Sequence, residues 1–154
     1  MWLWRWVFFR PANSEDREDS YSSNTQWSRG RYLTDHVAHC TECHTPRTLW
    51  GSQRVTEYLK GNTDGIDGEP TGNITGDEIA GIGRWTLGEI VELLRTGYLP
   101  NFDNVQGLMA LVIDGAHGRG YNQMNDRDLY AIAGYLKSLN GDDNVRKDQT
   151  LRLE

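Results

Sequence analysis

The sequence predicts an all-α domain built from short helices separated by long loops. Apolar residues recur at helical spacing in three stretches, around residues 27–40, 86–95 and 125–140. The segments between them are rich in Gly, Asn, Asp and Thr, and none alternates as a convincing strand would. A chain of 154 residues suits one compact domain with tails. The expected divisions are a Trp-rich segment with a polar linker at 1–26, the domain at 27–140, and a flexible tail at 141–154.

The first helix is expected to begin near Trp27 or Ser28 and to run toward Cys40. Leu33, Val37 and Cys40 would share its apolar face, and Gly30 would let another helix approach closely. Residues 55–76 read as loop. The stretch from Thr86 to Arg95 carries clear helix signals: Thr86 and Glu89 form a capping box, Ile90, Leu93 and Leu94 an apolar face, and Gly97 a C-terminal cap. Met109 to Ile113 is a short apolar run of one or two turns. In the last helix Asn125 is the cap and Asp128 favours the positive end of the dipole. Leu129, Ile132, Ala133 and Leu136 make its buried stripe, and Asn140-Gly141 ends it.

Net charge is -6, which argues against nucleic acid as a partner. Residues 57–92 are strongly acidic, while the surroundings of the cysteines lean basic through Arg29, Arg31, Arg47 and Arg54. Ordinary solvated surface and a dipole that orients the molecule on docking both fit. The opening MWLWRWVFF is apolar and aromatic but far short of the roughly 20 residues a membrane span needs. It also lacks the layout of a secretion signal. Three readings remain for residues 1–10: the end of a longer anchor, an interfacial segment, or a contact with a partner subunit. Membrane or partner contact is the favoured one.

The only two cysteines, Cys40 and Cys43, stand in Cys40-Thr41-Glu42-Cys43-His44. Thiols at this spacing on one turn can add across the two vinyl groups of a haem, and the next residue places an imidazole beneath the iron. A buried apolar cofactor would also help a chain that is only 37% hydrophobic to fold. A thioredoxin-like pair is disfavoured because that fold needs strands. A zinc site would have to crowd His36 and His39 with both cysteines at one helix end.

An iron that only carries electrons needs a second axial ligand. Met109, Met124, His36, His39 and His117 are the candidates. His36 and His39 lie too near Cys40 to reach the far face, and His117 sits in a Gly-rich loop. Met124 can instead form a hydrophobic staple with Leu129. Met109 follows the flexible Gly107-Leu108 and opens an apolar run, which favours it, although a plain core methionine fits as well.

The segments GRYLTDHVAHCTECHTPR, GNIT, GIGRWTLGEIVELLRTG, QGLMALV and DRDLYAIAGYLKSL, in that order, resemble class I c-type cytochrome domains. Such domains occur in the cytochrome c subunits of bacterial membrane-bound alcohol, gluconate and aldehyde dehydrogenases. The resemblance covers about residues 27–140 and implies a cytochrome c fold around one covalent haem c. It implies His44 and Met109 as iron ligands, and Asn73 and Trp85 beside the haem edge and propionates. Pro46 would belong to a loop whose carbonyl orients the imidazole. The first and last helices would cross near Gly30 and Tyr135. Many relatives carry two or three haem domains on one chain, whereas a single motif is present here, and WRWVFFRP resembles the segment preceding a later domain.

The implied role is single-electron transfer rather than catalysis. The donor would be a dehydrogenase or another cytochrome, and the acceptor a respiratory or photosynthetic component such as an oxidase. The implied location is periplasmic and membrane-associated. Two alternatives are a haem enzyme or sensor with an open distal site, and a haem-carrying anchoring subunit of a larger redox complex.

Overall fold

A computed structural model describes Leu3, Arg5 and residues 26–115 and 118–139. The expectations for the rest of residues 1–25, for His117 and for the stretch from Asn140 onward lie outside the described residues.

The described chain is all-α, as expected. Five α-helices follow one another: α1 (Gln26–Tyr32), α2 (Cys40–His44), α3 (Leu87–Thr96), α4 (Gly107–Asp114) and α5 (Asp126–Ser138). Single 3-10 turns at Val55–Glu57, Ile66–Gly68 and Tyr121–Gln123 punctuate the connections.

The first helix departs from its expected course. After Tyr32 it widens into a π-helical turn, Leu33–Val37, in which the Ala38 amide bonds the Leu33 carbonyl at 2.7 Å. Five-residue spacing shifts the inward face by one position, so Ala38 is buried and Val37 is exposed. His39 then adopts a left-handed conformation, φ 54°, and ends the run. Cys40 therefore starts a new helix instead of finishing the first.

α1 crosses α5 where Gly30 lies. A Cβ there would overlap the Ala131 carbonyl and press on Tyr135, so only glycine allows this approach. Arg29 joins the crossing through two parallel 2.9 Å bonds to Asp128. Trp27 adds an edge-to-face contact with Tyr135 at 5.3 Å and donates its indole N–H to Ser138 at 2.8 Å.

α3 starts on the expected capping box, with Thr86 accepting from the Glu89 amide while Glu89 accepts from the Thr86 amide. It stops at Gly97 in the left-handed region, φ 82°. Ile90, Val91 and Leu94 are its buried residues and pack toward α5. Asn125 caps α5 as expected, and Leu129, Ile132, Ala133 and Leu136 are all buried. Together with Leu33, Leu59 and Ile82 they form one core cluster.

Candidate functional site

α2 is the Cys-x-x-Cys-His motif itself, a helix of only five residues. So short a helix leaves its last carbonyls without internal partners. The long loop supplies them. Gly61 donates its amide to the His44 carbonyl at 2.9 Å, and the Thr71 hydroxyl donates to the Cys43 carbonyl at 2.8 Å. Asn62 and Thr71 pair reciprocally through their backbones, at 3.0 and 2.8 Å, which closes residues 62–71 into a lobe. Below it, buried Thr45 accepts the Leu59 amide at 3.0 Å. The segment that reads as plain loop is the motif's cradle.

The same lobe sets the imidazole. His44 Nδ1 lies 2.7 Å from the Gly72 carbonyl, an acceptor only, so Nδ1 carries the proton and Nε2 keeps its lone pair. Burial lowers the His44 pKa, and the bond to Gly72 offsets part of that, which favours a neutral ring. Pro46 itself is engaged elsewhere. Its carbonyl accepts the Arg54 amide at 2.8 Å, in the hairpin where Arg47 bridges Gln53. The carbonyl that bonds the imidazole belongs to Gly72.

Cys40 and Cys43 are free, half-buried thiols on one turn, with buried Thr41 between them. Burial pushes the Cys40 thiol up to about 12, and the nearby Asp35 adds to this. Burial also raises Cys43, helped by Glu42 and opposed by Arg47. Both thiols are thus favoured in the neutral form. Tyr121 donates its hydroxyl to the Ala38 carbonyl, tying down the chain just before α2. Among the described residues no three His, Cys, Asp or Glu side chains gather as a metal cluster.

Met109 lies in the first turn of α4, half-buried against the core cluster. Cys40, Ile74, Trp85, Tyr121 and Met124 are likewise half-buried and packed at the core's edge. An apolar ring against such side chains would add to their burial, and with both thiols and His44 on one turn the residues present fit a haem. Asn73 spends its side-chain oxygen on the Thr75 amide and hydroxyl, at 2.8 and 2.7 Å, and thereby shapes its own loop. Trp85 is held through its carbonyl, which accepts from Lys137, and Lys137 also donates to the Gly83 carbonyl at 2.9 Å. His36 and His39 are exposed.

Sequence reasoning missed Gly61, Thr71, Gly72 and Tyr121. All four act through backbone groups or bonds to carbonyls, which leave no residue-type signature. The one available signal was the position of Gly72 immediately before the Asn73-Ile74-Thr75 stretch.

No protein-family model matches the chain. It is 33% identical over 153 residues to the gluconate 2-dehydrogenase cytochrome c subunit of Pantoea cypripedii, covering 92% of this chain and 32% of that protein. Identity is 40% over 111 residues to a diheme c-type cytochrome of Cereibacter sphaeroides, covering 71% and 34% respectively. It is 38% over 119 residues to the fructose dehydrogenase cytochrome subunit of Gluconobacter japonicus, covering 77% and 23%. The chain spans about a third or less of the length of these curated relatives.

Proposed function

Since the chain is a cytochrome c domain, related to the cytochrome c subunits of bacterial dehydrogenases, we propose that it carries one covalent haem c and passes single electrons between larger redox proteins. Bound in the domain, the haem supplies an iron that changes oxidation state by one electron. Cys40 and Cys43 would tether it, His44 would ligate it through Nε2, and Met109 would offer its sulfur from the other side. The observation that carries this reading is the Gly72 bond to His44 Nδ1, which frees Nε2 on the turn that also bears both thiols.

The domain's own work is to hold, orient and shield. The lobe around Thr71 fixes the imidazole, and the apolar side chains of Trp85, Tyr121 and Met124 would help to keep water from a bound haem. Asn73 and Trp85 would border the ring. The cytochrome domain comprises residues 27–140, and the single motif assigns one haem. The chain serves as an electron-transfer component rather than a catalyst, taking electrons from a dehydrogenase or another haem and giving them to a respiratory or photosynthetic acceptor. Its location would be periplasmic, with residues 1–10 touching a membrane or a membrane complex. No described helix is long and apolar enough to cross a membrane.

The test compares absorption spectra of the matured wild-type protein, Met109→Ala and Met124→Ala. The wild type and Met124→Ala should show the weak long-wavelength band of sulfur-to-iron bonding and resist carbon monoxide. Met109→Ala should lose the band and bind carbon monoxide at neutral pH. A Met109→Ala protein that keeps the band removes Met109 as ligand. A wild type that binds carbon monoxide freely favours an open distal site.

A further inference from the structure

α4 carries Met109 but is weakly anchored. Of its eight residues only Ile113 is buried, and Gln106 at its start offers no side-chain cap. The first amides of such a helix need partners from elsewhere. One comes from the lobe that cradles α2: Glu69 Oε2 accepts the Leu108 amide at 3.2 Å. Gly107 makes room for this carboxylate, since a Cβ there would overlap it, and Gly107 is itself left-handed at φ 61°. A negative charge at this end of a helix is also favoured by the helix dipole.

Glu69 stands two residues before Thr71 and three before Gly72. Residues 69–72 therefore bond the α4 start, the Cys43 carbonyl and the His44 ring. We propose that Glu69 is a positioning residue that holds the Met109 helix in register with the loop orienting His44. One short segment would thus set both axial sides of the iron. The inference rests on the reading of Met109 as a ligand. In the sequence Glu69 looks like one more acid in a solvated acidic stretch.

The test uses the matured full chain as Glu69→Ala, Glu69→Gln and Met109→Ala. The measurements are the sulfur-to-iron band, the reduction potential, and hydrogen exchange at the Leu108 amide. In Glu69→Ala that amide should exchange about fivefold faster, the size of a lost helix cap. The band should weaken and the potential fall. Glu69→Gln keeps a carbonyl oxygen in place and should restore most of the band. Gly107→Ala, which displaces the carboxylate from the other side, should reproduce the Glu69→Ala spectrum. If Met109→Ala abolishes the band while Glu69→Ala leaves band and potential untouched, the positioning role is wrong, whatever the amide does. If Met109→Ala keeps the band, the ligand assignment fails first and the positioning role falls with it.

Discussion

Thr71 bonds three ways at once: its hydroxyl donates to the Cys43 carbonyl and accepts from the Asn62 amide, while its backbone pairs with Asn62. Replacing it with Val keeps the shape and the backbone pair with Asn62 but removes both hydroxyl bonds, leaving the half-buried Cys43 carbonyl to find water. Thr71→Val should cost about 1–2 kcal/mol of stability, read as a lower denaturation midpoint. Thr34 presents the opposite case. Its hydroxyl is fully buried and, within the described structure, has no hydrogen-bond partner. Thr34→Val should therefore be neutral or stabilising by up to ~1 kcal/mol in the same assay, whereas a loss of more than that would mean the hydroxyl is satisfied in solution. The π-helical turn containing Thr34 bonds through the backbone and leaves this side chain at the core without a designed partner.

At the scale of helices, the α1–α5 crossing carries the most demanding fit. Gly30→Ala would drive a methyl into the Ala131 carbonyl, and it should cost about 1–3 kcal/mol by thermal unfolding. Unchanged stability would mean the two helices stand farther apart than described. The Arg29–Asp128 pair stitches the same crossing and makes it sensitive to acid. The hydrogen bond and charge of Arg29 hold the Asp128 carboxyl below its ordinary value. Its contribution is present above the unfolded carboxylate range, about 3.9, and is lost as pH falls through the lower folded value. Asp128→Asn should accordingly be less stable than wild type at neutral pH, with the gap closing from about pH 5 downward. A gap that stays constant with pH would exclude the ion pair as its source. Local signals made α3 and α5 legible in the sequence, because Thr86, Glu89, Gly97 and Asn125 each satisfy a helix end within their own neighbourhood. The widened end of α1 was not legible. Nothing local in Leu33–Val37 demands five-residue spacing, and the stretch adopts it where packing turns Ala38 rather than Val37 inward.

On the scale of the whole molecule, the helical core is small and its edge is lined by half-buried apolar side chains, Trp85, Met109 and Tyr121 among them. A ring held against them would add apolar burial to a polar chain. The Cys-x-x-Cys-His motif was visible at once because its chemistry needs adjacent residues. Its cradle was not, because Gly61, Thr71 and Gly72 reach α2 across a loop and mostly through the main chain. The acidic stretch likewise concealed Glu69, whose significance depends on the distant Leu108 amide. The proposed membrane or complex contact through residues 1–10 is tested at this scale too. Deleting them should release the matured domain from the membrane fraction with its spectrum intact, and full retention would exclude that contact.

Covalent attachment of a single haem is the premise of the proposed iron ligands and of the proposed electron transfer. Mass spectrometry of the matured chain under denaturing conditions tests it directly. The account predicts a polypeptide heavier by one haem, and no added mass in Cys40→Ala/Cys43→Ala. A wild-type chain with the mass of the bare polypeptide would contradict it.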